Sequence, residues 1–156
     1  MVYSNIGALA TNQPGDLFAW GETEPRKRFT MENYKYKDPE YKQWTIDIGT
    51  EISGTEYDIA TQKNKDWRLP TKKEFLELCE KCKWQWIGKG KNKGYRITGP
   101  NGNYIFLPTG GQDTFGKSNK KMGNYWSGTL SNGLGRTAIA LHFGKKWYHT
   151  KGTYKA

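Results

Sequence analysis

The sequence predicts an α+β domain of short antiparallel sheets, one or two helices and long irregular loops. Three observations carry that expectation. Thr71-Lys72-Lys73-Glu74 is a complete Thr-x-x-Glu capping box ahead of an apolar stripe at helical spacing. Several short runs alternate apolar and polar residues between Gly, Asn and Pro punctuation, which is the pattern of strands and hairpins. Nineteen glycines together with seven Trp, ten Tyr and six Phe describe an aromatic interior crossed by many turns rather than a helical bundle. At 156 residues the chain is long enough to bury one real core and is expected to form a single domain over 1–156.

Taken in order, Gln13-Pro14-Gly15-Asp16 reads as a turn into the short apolar segment Leu17-Phe18-Ala19-Trp20, which Gly21 ends. Residues 22–50 form a long polar connection in which Tyr34, Tyr36, Tyr41 and Trp44 are expected to bury surface and order the loop. Pro70 disfavours helical geometry at Leu69, so the helix is expected to begin at about Lys72, with Phe75, Leu78, Cys79 and Cys82 on its buried face. Lys83 to Ile87 alternates like a strand. Tyr95-Arg96-Ile97-Thr98 and Tyr104-Ile105-Phe106-Leu107 flank a Gly-Pro-Asn-Gly-Asn turn and read as a hairpin, with Pro108 ending its second strand. A glycine-rich loop over 110–123 leads into Asn124 to Thr129. The last third reads as another hairpin: Thr137 to Phe143, a turn at Gly144-Lys145, and a return from Lys146 to Thr150. In it Ile139, Leu141 and Phe143 would face the core, with Ala138, Ala140 and His142 on the other side.

Charge narrows the partners. The chain carries 25 Lys and Arg against 15 Asp and Glu, and residues 114–156 hold eight basic residues and no acidic one. Such a field favours anionic partners. Nucleic acid ranks behind an ordinary lysine-rich surface, because the lysines are dispersed among turns and no helix-turn-helix, zinc-finger or RNA-binding aromatic signature accompanies them. No apolar run reaches membrane-spanning length, and the N-terminus lacks a basic segment followed by an apolar stretch, so no span and no export signal are expected in this chain. Cys79 and Cys82 read as core thiols, since a redox pair belongs at a helix N-terminus. With His142 and His149 the only histidines, neither a zinc site nor any other metal or cofactor is expected.

Six words then occur in a distinctive order: Asn5-Ile6-Gly7-Ala8, Phe18-Ala19-Trp20-Gly21-Glu22-Thr23, Asp58-Ile59-Ala60-Thr61, Trp67-Arg68-Leu69-Pro70-Thr71, Phe106-Leu107-Pro108 and Tyr125-Trp126-Ser127-Gly128-Thr129. In this the chain resembles, over nearly its whole length, the Fibrobacter succinogenes major paralogous domain family. That family looks like a branch of the C-type-lectin fold, which formylglycine-generating-enzyme-like domains and retroelement-diversified variable proteins also use. Its members close with a further strand ending in a Ser-Val-Arg-Pro-Val-like segment, whereas this chain stops at Thr153-Tyr154-Lys155-Ala156, leaving the terminal pairing open. The resemblance implies that Trp67, Trp126 and the Leu107-Pro108 corner are scaffold. It also implies that binding lies on loops and on the exposed face of the last strands, here Ser131, Asn132, Arg136, Lys145, Trp147, Tyr148, His149 and Lys151.

Two readings of Lys146-Trp147-Tyr148-His149 stand side by side: a recognition strip, or an ordinary strand with one aromatic buried and one exposed. Leu130 to Arg136 is likewise a ligand loop or a plain turn. Glu22-Thr23-Glu24-Pro25 is superficially similar to the calcium words of sugar-binding lectins, but the companion Trp-Asn-Asp word is absent. No carboxylate pair has a context that separates acid from base, and Ser127 lacks the flanking glycines of a nucleophile elbow, so an enzyme is not expected. The expected function is a non-enzymatic binding or adhesion module for a protein or glycan, extracellular on a bacterial surface or a virion. The alternative is a virion decoration, fibre or assembly protein contacting sister subunits as a homo-oligomer. An electrostatic nucleic-acid or polyanion binder stands third.

Overall fold

The computed structural model describes residues 4–40, 44–89, 93–110, 120–131 and 135–155. The architecture is mixed α+β, with two antiparallel three-stranded sheets and few helices. The first sheet is β1 (Lys83–Ile87), β2 (Gly94–Thr98) and β3 (Tyr104–Pro108); the second is β4 (Gly123–Leu130), β5 (Thr137–Gly144) and β6 (Trp147–Tyr154). In each sheet strand order follows chain order, as short hairpin connections require.

The helix expected at Lys72 runs over Lys72–Lys81, α2 in chain order. Its Thr71 hydroxyl accepts from the Glu74 N–H while the Glu74 carboxylate accepts from the Thr71 N–H, so the box satisfies two end groups reciprocally. Arg68 grips the same carboxylate through both terminal nitrogens, at 2.8 and 2.6 Å, and holds it down at about 2, well below the usual range. Phe75 buries its ring with Tyr95, Ile97, Leu141 and Phe143, so α2 and both sheets share one core, against which Leu78, Cys79 and Cys82 pack. Burial pushes the Cys79 thiol up, as befits a core position.

A shorter helix, α1 (Ile59–Lys63), is capped by Asp58. This carboxylate is wholly buried and accepts from the N–H groups of Ala60, Thr61, Gly54 and Leu69, tying the end of the long connection to the segment ahead of α2. In that connection Tyr34 and Tyr36 are buried as expected, and the Tyr34 hydroxyl donates to the Trp20 carbonyl at 2.7 Å. Trp44 is not buried; its indole is 48% exposed at the surface, because Thr45, the next residue along, takes the inward position. Tyr41 lies outside the described residues.

The words quoted above meet in space. Trp126 Nε1 donates to the Phe18 carbonyl and Trp20 Nε1 to the Ser127 carbonyl, both at 2.9 Å. Asn5 donates to the Tyr125 hydroxyl, which itself donates to the Pro108 carbonyl. The fully buried indole is Trp20, whereas Trp67 is half-buried and stands at the edge of the scaffold. The stretch from Asn124 to Thr129 is strand. Beyond Trp126 its register with β5 shifts, and Gly128 instead bonds the Pro70 carbonyl and the Ile52 N–H, so one strand serves two neighbours.

Two features of the last hairpin differ from expectation. The register pairs Gly144 with Trp147, so the turn is Lys145-Lys146, and the return strand continues to Tyr154. The face holding Ala138, Ala140 and His142 is also buried, because Trp20 and Ile52 pack on Ala138; β5 is a central strand covered on both sides. The chain end is paired: Lys155 donates its N–H to Arg136 and its carbonyl accepts from Trp20. No helix among the described residues is long and apolar enough to cross a membrane.

Candidate functional site

Strand alternation divides the expected site. Trp147, His149 and Lys151 share one face of β6, and Tyr148 lies on the other. Tyr148 lies flat against Trp84 of β1, with ring centroids 4.0 Å apart and planes at 7°, and meets Tyr95 edge-on. Its ring is therefore a tie between the two sheets, although 36% of the residue remains exposed. Trp147 belongs to a surface ladder: its indole stacks on His149 at 5.1 Å, and His149 stacks on His142 at 6.0 Å.

Glycine makes room for that ladder. A Cβ built at Gly144 would lie 2.7 Å from Trp147 Nε1, so the indole rests across its cross-strand partner's bare backbone. Ser131 is placed in the same way at the other end of the hairpin, where its hydroxyl lies across Gly152 and its N–H bonds the Thr137 carbonyl. Lys145 is exposed in the turn, and its carbonyl accepts from the Tyr95 hydroxyl at 2.9 Å, which fixes the turn to the first sheet. Asn132 lies outside the described residues.

Beneath the ladder, His142 is buried and one of its ring nitrogens (Nε2) is 2.7 Å from the Thr153 hydroxyl. Burial first, then the positive charge of Lys151 and of His149, lowers its pKa to about 4, so at neutral pH the imidazole is uncharged. It supports the site rather than contributing charge to it.

Arg136 sits at the opposite end of the hairpin. Over the seven steps of β6, the strand rise puts it about 23 Å from Trp147. Its guanidinium carbon is 5.1 Å from the Trp44 ring centroid and 5.6 Å from that of Tyr154. Residue reasoning missed both rings: Trp44 was expected inside, and continuing the period-2 alternation from Tyr148 would have found Tyr154. Next to this cluster, Lys155 is buried with Nζ over the Trp20 ring at 4.6 Å and donating to the Thr45 hydroxyl at 3.2 Å. Burial lowers its pKa to about 8, partly opposed by Asp47.

The structure thus brings Trp147, His149 and Lys151 together, turns Tyr148 inward, and sets Ser131 and Arg136 apart from them. A separate open groove of ≈ 1390 Å³, walled by Phe18, Trp67, Pro70, Tyr104, Phe106 and Trp126, touches the hairpin only at Thr153, Tyr154 and Lys155 and takes in none of the expected residues. Of these walls Trp126 bonds the Phe18 carbonyl and so serves the packing of the chain, which leaves the exposed hairpin as the better candidate. Ser127 is fully buried and donates to the Ile139 carbonyl at 2.7 Å, an arrangement that serves the bulge in β4. Among the described residues no three His, Cys, Asp or Glu side chains are grouped to hold a metal ion. Comparison with family models, curated proteins and solved structures finds no match to this chain.

Proposed function

We propose that the chain is a non-enzymatic recognition module of C-type-lectin-like fold, displayed on a bacterial surface or a virion, that binds a protein or glycan through its C-terminal hairpin. The fold reading is supported by two small sheets, two capped helices and a long connection whose motif residues bond to one another across the chain. One observation carries the functional reading: Trp147 is 39% exposed, stacked on His149 and seated over Gly144, on a strand whose neighbouring charged residues, Lys145, Lys146 and Lys155, are all basic. An indole held in one pose contributes large contact area with little ordering entropy left to lose, which is what an anchor residue needs.

The test compares the full chain with Trp147→Ala and Gly144→Ala on an array of neutral and acidic oligosaccharides and on a displayed peptide library. Binding should fall at least tenfold in both variants with melting temperatures within a few degrees of the parent, since Gly144→Ala displaces the indole without touching the core. Undiminished binding by both would overturn the reading.

A second reading, assembly with sister subunits, is favoured by the position of β6 at a sheet edge, where one row of backbone groups is unpaired by any described strand. It predicts a defined oligomer in ultracentrifugation at micromolar concentration, and a clean monomer would remove it.

A further inference from the structure

We infer that the far end of the hairpin is a carboxylate subsite, in which Arg136, held between Trp44 and Tyr154, takes the acid group of a uronic-acid sugar in an acidic glycan. The inference rests on the reading of the hairpin as a recognition surface and gives that surface a ligand chemistry.

Arginine is the side chain suited to planar oxyanions, because its fork donates two parallel hydrogen bonds to one carboxylate. Arg136 is free to use it. Among the described residues no carboxylate forms an ion pair with it and no hydrogen bond engages its donors. What holds it instead is two aromatic faces, both within cation–π reach. Such contacts orient the guanidinium while leaving its N–H groups unspent, the condition for a preorganised anion site. Its backbone is also fixed, since the Arg136 carbonyl accepts from Lys155 and the neighbouring Gly135 carbonyl accepts from the Thr45 hydroxyl.

The two rings decide what kind of anion fits. Trp44 is 48% exposed and Tyr154 is 46% exposed, so a ligand reaching the arginine meets flat apolar surface beside it. A pyranose offers both chemistries in one rigid unit: a C–H face for an aromatic ring and, in a uronic acid, a carboxylate on the ring edge. An acidic peptide carries its carboxylate on a flexible stem and gains little from the rings. A nucleic-acid strand gains most of its affinity from several phosphate contacts, whereas this cluster presents one half-buried arginine, the adjacent Lys155 being buried on Thr45 and Trp20.

The experiment is calorimetric titration of the full chain with a galacturonic-acid tetramer, its methyl ester and the neutral galactose tetramer. The acid should bind, and the methyl ester and neutral sugar should bind at least tenfold more weakly. Arg136→Lys, which keeps the charge but loses the fork, and Trp44→Ala should each weaken acid binding at least tenfold. Equal binding of acid and ester overturns the inference, and that arm needs no variant to fold. Equal binding of a glutamate hexamer or of an eight-nucleotide oligothymidylate overturns the glycan assignment. Failure here with Trp147-dependent capture intact removes the subsite alone; Arg136-dependent acid binding with no ligand dependent on Trp147 removes the ladder reading alone.

Discussion

Tyr148 and Trp84, sixty-four residues apart, lie face to face with ring centroids 4.0 Å apart and planes at 7°. This stack bridges the last strand of one sheet and the first of the other, and it gives two consecutive aromatics different duties. Tyr148→Ala should therefore cost about 1–3 kcal/mol, the stacking contribution plus buried area, whereas Trp147→Ala should cost less than about 1 kcal/mol. Denaturant unfolding of the two variants measures this directly. A larger loss for Trp147 than for Tyr148 would contradict the division of faces.

Asp58 is the polar residue with most to lose. It is wholly buried and accepts four backbone N–H bonds from three separate stretches of chain. Asp58→Ala strands those donors, and a cost of about 3–5 kcal/mol is expected. Thermal unfolding of this variant beside the parent is the measurement, and a shift equivalent to less than about 1 kcal/mol would mean that water replaces the carboxylate freely.

Stability should rise with pH in two windows. His142 and Lys155 are bases with folded pKa values lowered to about 4 and about 8, from ordinary values of 6.5 and 10.5. Between each pair of values the unfolded chain binds more protons than the folded one, so unfolding free energy increases as pH rises. Above about pH 9 the Cys79 thiol, and above about pH 10 the phenols of Tyr34 and Tyr125, all with pKa values raised by burial, act in the opposite direction, so the upper window is best read from 8 to 9. The denaturation midpoint followed against pH should climb in both windows; His142→Gln should flatten the lower rise and Lys155→Met the upper. A midpoint that falls with pH across either window is incompatible with these environments.

Much of the local structure was legible because its causes are local. The Thr71–Glu74 box, the apolar stripe behind it and the Gly-Pro-Asn-Gly-Asn turn each state their geometry within a few residues. Less local features were harder to read. The helix capped by Asp58 has five residues, too few for periodicity to show, and its cap draws on donors from Gly54 and Leu69 that no short window contains. Trp44 was expected inside on the ground that large aromatics bury surface, but the inward place is taken by Thr45, which bonds Gly135 and Lys155.

The candidate surface follows the same division. Residue order alone determined that the last third is basic, acid-free and hairpin-forming, since charge and alternation are properties of the chain itself. Only the tertiary structure decided that Tyr148 turns to Trp84, that Trp147 rests on Gly144, and that Arg136 stands between Trp44 and Tyr154. Those contacts join residues far apart in the chain or across a strand pair. Their geometry is set by sheet register and by what the long connection covers, and neither is written in any single segment.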